Sequence, residues 1–371
     1  MTKRFFTLVA IGLISATAFF GYFRPAPENP KRQSPFKQWS LGYWTPQSGK
    51  PIPPSEIEWK ALTHIVYWAA LANPDGSLDT TTQQFSKYGP SLIQAAQAEQ
   101  VKVLLGVSQA FWKGEKTNLR AASANASGNL INSIMAIVDT MGFDGVDLDW
   151  EPFDTSLDKQ PAIDLVTALR QRLGRGRILT AAAIITDSAF WAPLVPQLDQ
   201  LHIMTYDMTG PWMRYSWHNS ALYGSGSGWS VDLAVKRFTA AGADASKLSI
   251  GIPFFGYRIA GSGIYQPNQF WIQTPSFQQM TYQSLHSLIQ PTPYRWDDQA
   301  KAPYLSFDRA GTANDEFYTY EDRDSLIAKI EYAKANGLGG WFVWEIGGDY
   351  LPSQNPKQPL LNTISQIRNP Q

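Results

Sequence analysis

A chain of 371 residues can bury a large core, and a single α/β barrel of this length is ordinary. Its 31 basic and 31 acidic residues give zero formal net charge, so nothing asks for nucleic acid or an anionic membrane surface as partner. It has no cysteine, which excludes disulfides, zinc–thiolate sites, a cysteine nucleophile and a lipid-modified cysteine.

The chain opens with Lys3 and Arg4 ahead of an uncharged apolar run from Phe5 to Phe23. Ala16-Thr17-Ala18 resembles a small-residue cleavage site, so residues 1–23 read first as a cleaved export signal. The run is also long enough to serve as a retained membrane anchor. Either way the remainder is expected to be exported, secreted or periplasmic. Residues 24–38 hold four prolines and several charges and read as a linker.

Short apolar runs then alternate with helical patterns. Strands are expected at 39–44, 63–69, 101–107, 145–150, 177–183, 201–206, 248–254 and 339–344. Helical periodicity falls between most of them, as in SLIQAAQAEQ, LINSIMAIVDTM and PAIDLVTALRQRL, with Pro161 at a helix-friendly first position. SVDLAVKRFTAAG has Ser230 as N-cap and Gly242 as stop, and DRDSLIAKIEYAKANG ends at Gly337. Eight alternating units predict a parallel sheet closed as a (β/α)₈ TIM barrel. Residues 257–321 break the rhythm before the eighth strand. They are too long for a structureless loop and read as a small inserted α+β subdomain. YGSGSG (223–228) fits no nucleotide-binding spacing and reads as a flexible loop.

The fourth expected strand, DGVDLDWE, carries Asp144, Asp147, Asp149 and Glu151. Alternate strand residues share a face, so Asp147, Asp149 and Glu151 point one way, about 6.6 Å apart along the chain. Val146, Leu148 and Trp150 point the other way, into the barrel–helix layer, and Asp144 is left to orient the turn entering the strand. Strand carboxyl ends open onto the active face of such a barrel, which puts Glu151 at the mouth, Asp149 one layer down and Asp147 below. Burial and like charge raise at least one pKa in such a stack, making the outermost acid a candidate proton donor. A solvated edge strand fits poorly, because the opposite face demands burial. A Mg²⁺ or Ca²⁺ site is the other alternative. The four histidines, His64, His202, His218 and His286, form no metal-spaced pair, and there is no HExxH or GxSxG. No metal or cofactor is expected.

DGVDLDWE resembles the Asp-x-x-Asp-x-Asp-x-Glu signature of the family-18 glycoside hydrolases, the chitinase family. LGYW (41–44), THIVYWA, MTYDMTGPW (204–212), GIPFFG (251–256) and GGWFVWEIGGD (339–349) resemble the family's other strand motifs in order, so the likeness covers about 39–350. It implies a catalytic barrel over 39–371 that hydrolyses β-1,4-N-acetylglucosaminide linkages in chitin or its oligosaccharides, with retention and substrate assistance. Alternatives are an endo-β-N-acetylglucosaminidase on N-glycans or a catalytically weak, lectin-like chitin binder. By the resemblance, Glu151 is the general acid, Asp149 binds the acetamido N–H and balances the positive ring, and Asp147 shares a proton with Asp149. Tyr206 steadies the acetamido oxygen. Tyr43, Met204, Asp207, Trp212 and Trp344 contact substrate, Trp344 as a floor under the acetamido methyl. Trp112, Trp271 and Trp296 fit a cleft extension no better than core or lid packing. The partner implied is a glycan bound by a monomer.

Two stretches depart from the family pattern. The third strand ends Gly106, Ser108, Gln109 instead of Ser-x-Gly-Gly, and an Ala-Phe pair of the second strand is replaced by Trp68-Ala69.

Overall fold

The computed structural model describes residues 38–46, 51–109, 114, 117–125, 127–151, 153–154, 156–224, 228–289, 294–309 and 314–370. The expected leader, nearly all of the linker, Trp112 and the centre of the 223–228 loop lie outside them. Eight parallel strands close into a barrel: Trp39–Trp44, His64–Ala72, Lys102–Ser108, Gly145–Leu148, Ile178–Ile184, Gln200–Met204, Leu248–Pro253 and Gly340–Trp344. The first pairs with both the second and the eighth, Leu41 opposite His64 and Phe342, which leaves no open edge. This is the (β/α)₈ architecture expected. We number these barrel strands one to eight.

Alternation along the strands sorts the core into two layers. Leu41, Tyr43, Val66, Leu104, Ala182, Met204 and Phe342 face the barrel axis. Ile65, Tyr67, Leu105, Val146, Leu148, Ile203, Ile250 and Val343 face the surrounding helices. With both faces covered, the strands read as continuous apolar runs, as in HIVYWAALA.

The helices follow their end signals. In Val231–Ala240 the Ser230 hydroxyl accepts from the Leu233 N–H at 3.1 Å, and Gly242 takes φ 93° beyond the last turn. Asp322 caps Arg323–Ala335 in a capping box with Ser325, and Gly337 follows at φ 63°. Helix Lys159–Leu173 starts two residues before Pro161. The proline therefore sits inside the first turn, where its missing N–H still costs no hydrogen bond. The last helix, Pro359–Arg368, is tied to the eighth-strand end by Asp349, whose Oδ2 accepts from Leu360 N at 2.7 Å and Leu361 N at 3.0 Å.

The insertion is an α+β unit, as expected. Phe255–Ala260, Ser276–Thr281, Tyr294–Asp297, Ala302–Phe307 and Glu316–Thr319 form an antiparallel sheet, accompanied by helix Tyr282–Ile289. It begins two residues earlier than expected, because Phe255 already pairs with Thr281.

Candidate active site

The fourth strand's ladder stops at Leu148, two residues short of the expected end, although Asp149 N–H still donates to Val107 O at 2.9 Å. Asp149, Trp150 and Glu151 thus project past the sheet at the barrel mouth. Their alternation persists. Trp150 is buried in the outer layer against Phe153, while Asp149 and Glu151 line a cleft of about 810 Å³.

Asp147 lies below that cleft and is fully buried. Its Oδ2 accepts from the Tyr43 hydroxyl at 2.8 Å and its Oδ1 from Thr180 Oγ1 at 2.5 Å. Burial pushes its carboxyl up to about 7, against the lowering effect of those two donors, and the Asp149 charge adds to the rise. His202 Nε2 stands 3.7 Å away, with Nδ1 2.6 Å from Ser249 Oγ. Burial pushes the imidazole down to about 3, so it is neutral.

Asp149 Oδ2 receives the Trp68 indole N–H at 2.6 Å and the Ser108 hydroxyl at 3.3 Å. Burial raises this carboxyl to about 6, and both donors oppose the rise. Glu151 is driven well above the usual carboxylate range by burial, then by the charges of Asp149 and Asp207. The outermost acid is therefore the one most firmly held protonated. Gln109 supports it from the third strand: its Nε2 donates to Glu151 O at 3.0 Å, and its Oε1 accepts from Leu119 N at 3.0 Å. Asp144 has the role expected of it, accepting from Lys102 Nζ at 2.7 Å and Val103 N at 2.9 Å at the strand entrance.

The sixth strand and the segment just past it contribute Met204, Tyr206 and Asp207 to the same cleft. Tyr206 packs edge-on to Phe255 and Phe342, and burial followed by the neighbouring acids keeps its hydroxyl protonated. Asp207 turns the chain with a left-handed φ of 56°, its N–H donating to Asn219 Oδ1 at 3.0 Å. Its Oδ1 accepts from Tyr257 of the insertion at 2.7 Å. Trp344 ends the eighth strand and meets Trp68 edge-on at 5.1 Å. Trp212 is 62% exposed and lies across Gly210, where a side chain would collide with the indole.

Tyr43, Asp149, Glu151, Met204, Tyr206, Asp207, Trp212 and Trp344 therefore converge on one cleft, with Asp147 beneath it. Trp271 instead packs on Phe277 within the insertion, and Trp296 lies on the edge strand Tyr294–Asp297. Neither lines the cleft. Among the described residues no group of three or more His, Asp or Glu could hold a metal ion. Sequence reading missed Thr180, Tyr257, Trp229, Gln279 and the Ile184–Thr186 wall. No local pattern marks them. Trp68 stood out only as a departure from a motif.

Residues 40–349 match the family model described as glycosyl hydrolases family 18. Curated relatives include chitinase A1 of Niallia circulans, 30% identical over 67% of this chain and 41% of that protein. A class V chitinase of Arabidopsis thaliana is 27% identical over 83% of this chain and 85% of its own length. A probable endochitinase of Caenorhabditis elegans is 27% identical over 66% of this chain and 44% of that protein. The chain thus spans less than half of the bacterial and nematode proteins. Among solved structures, the Ostrinia furnacalis Group IV chitinase in complex with allosamidin superposes with a TM-score of 0.76. It is 23% identical and covers 89% of this chain and 98% of its own. The class V chitinase of Nicotiana tobaccum gives 0.75 at 22% identity, covering 90% and 99%. At these identities the likeness establishes the fold.

Proposed function

The chain belongs to the family-18 glycosyl hydrolases, and we propose that it is a chitinase, cleaving β-1,4-linked N-acetylglucosamine chains with the substrate's own acetamido group as nucleophile. The observation that carries this reading is the convergence of Glu151, Asp149, Tyr206 and Trp344 on one cleft at the barrel mouth. Burial and the charges of Asp149 and Asp207 hold Glu151 above the usual carboxylate range, while Asp149 one layer down has two donors on one oxygen that favour its charged form. A donor and a charge stabiliser can then coexist near neutral pH.

In the first half-reaction Glu151 gives its proton to the glycosidic oxygen as the C1–O bond breaks. The acetamido carbonyl oxygen closes on C1, and the ring becomes a cyclic oxazolinium cation. Asp149 accepts a hydrogen bond from the acetamido N–H and balances the developing charge. The buried Tyr206 hydroxyl, held protonated, donates toward the acetamido oxygen. Trp344 supplies an apolar floor for the methyl, a contact a glucan could not make. Glu151, now a carboxylate, takes a proton from the incoming water, and the ring opens with net retention. Asp147 has its oxygens occupied by Tyr43 and Thr180 and acts as a fixed acidic neighbour to Asp149. Trp212 offers an exposed indole face to the leaving-group sugar. We infer that this action takes place outside the cytoplasm, a reading supported by the leader-like run from Phe5 to Phe23 behind Lys3 and Arg4.

The test is NMR of the first-formed product from an N-acetylglucosamine oligomer, beside a titration with a thiazoline analogue of the cyclic intermediate. The β-anomer should appear first, the thiazoline should inhibit, and fully deacetylated chains should resist. An initial α-anomer, or fast cleavage of deacetylated chains, would reject substrate assistance. A protein that binds the oligomers without cutting them would support the lectin-like alternative, which the presence of Glu151 argues against.

A further inference from the structure

Pairing between the second and third strands slips once. Tyr67 stands opposite Leu105 and Ala70 opposite Val107, so Trp68 and Ala69 together face the single residue Gly106. Such a bulge re-aims side chains. Here it turns both Trp68 and Ala69 to the barrel interior, while Tyr67 and Ala70 on either side pack in the outer layer. Gly106 makes room for it: a Cβ there would lie 2.8 Å from Tyr67 O and 3.2 Å from Trp68 Cα. The aimed indole is 2% exposed, braced edge-on by Trp344, with its N–H 2.6 Å from Asp149 Oδ2. Ser108 reaches the same oxygen. Among the described residues no donor reaches Oδ1, and Asp149 lines the cleft.

We propose that Trp68 is a positioning residue for hydrolysis: its indole N–H ties Oδ2 of Asp149 to the second strand and leaves Oδ1 set to accept an acetamido N–H from the bound sugar. The proposal rests on the chitinase reading above and deepens it. A phenyl ring in that place would keep an aromatic edge against Trp344, with less volume, but could not donate. Asp149 would then be held by the longer Ser108 contact alone and would be free to rotate. The titrating groups facing Asp149 are Asp147 and Glu151 on its own strand, Tyr43 from the first strand and Tyr206 from the sixth, with Asp207 acting on it through Glu151. All of them remain in place when the indole is replaced.

The experiment uses Trp68→Phe and Asp149→Asn in the full chain. Trp68→Phe should stay folded and unfold cooperatively, at a temperature somewhat below the wild type. It should lose about tenfold to a hundredfold in kcat with little change in KM, the usual scale for one hydrogen bond to a charged group. The donor lowers the Asp149 pKa, so without it the carboxylate protonates at higher pH and the acid limb of kcat moves upward. Wild-type kcat and an unmoved limb would overturn the proposal, as would a loss confined to KM. An independent readout is the indole ¹H–¹⁵N resonance of Trp68, assigned by its disappearance in Trp68→Phe. It should move as pH crosses the Asp149 ionisation and stay still in Asp149→Asn. A resonance indifferent to pH in the wild type overturns the Trp68–Asp149 link whatever the enzyme cleaves. A wild-type chain that cleaves no N-acetylglucosamine oligomer instead defeats the chitinase reading.

Discussion

Glu151 and Asp149 stand two residues apart and, on the proposed mechanism, are needed in opposite protonation states. Burial alone would push both up; what separates them is their neighbours. Asp149 has two donors on one oxygen, whereas Glu151 faces the charges of Asp149 and Asp207. Glu151→Gln keeps the shape and removes the proton. It should lower kcat by about two to four orders of magnitude while preserving oligosaccharide binding by calorimetry. In the wild type the alkaline limb of the rate profile should follow Glu151, and near-normal turnover in the variant would remove the residue from its role. The three inward acids are legible from alternation, because period two is a local property. Thr180 and Tyr257 are not. They arrive from strands 33 and 50 residues away in the chain from the acids they hold, Asp147 and Asp207.

Among the elements, the second strand departs most from its sequence reading. THIVYWA reads as one regular strand, yet it carries the bulge that points Trp68 at Asp149. The cause lies on the neighbouring strand, at Gly106, whose missing side chain admits the extra residue. Gly106→Ala should therefore cost about 1–3 kcal/mol of stability, because the clash is with backbone atoms that cannot rotate away. It should also depress kcat by displacing Trp68. Chemical denaturation and steady-state kinetics on the same sample check both, and an alanine variant as stable and active as the wild type would show that the strands can part without consequence. Helix limits were more readable, since Ser230, Gly242 and Gly337 act within one turn of their own position.

At the scale of the whole molecule, closing the barrel buries acids at the ends of the fourth and eighth strands in water-poor surroundings. Burial pushes Asp147, Glu345 and Asp349 up to about 7 and Asp149 to about 6, against about 4 in an unfolded chain. A folded-state pKa raised in this way gives stability that is fully present below the unfolded value and is lost as pH rises through the folded one. The exposed aspartates Asp75, Asp154 and Asp244, whose hydrogen bonds lower them, act in the opposite sense only below about pH 4. The buried histidines His64, His202 and His218, held by burial below the usual imidazole range, also act in the opposite sense, up to about pH 6.5 where an unfolded imidazole loses its proton. The melting temperature should accordingly fall between about pH 6.5 and pH 8. Asp349→Asn, which keeps an acceptor for the last helix, should make that fall shallower. Calorimetry at the two pH values tests this, and a melting temperature that holds steady or rises toward pH 8 would contradict it.

The sequence by itself determined the eight-strand rhythm, the inserted subdomain, the inward face of the acids and part of the cleft, because periodicity, caps and strand-end motifs are written in neighbouring residues. Only the tertiary structure decided how strongly each acid is buried, how the second strand bulges and which oxygen of Asp149 takes the Trp68 and Ser108 donors. Those depend on desolvation and on donors from distant strands, and neither exists until the barrel closes.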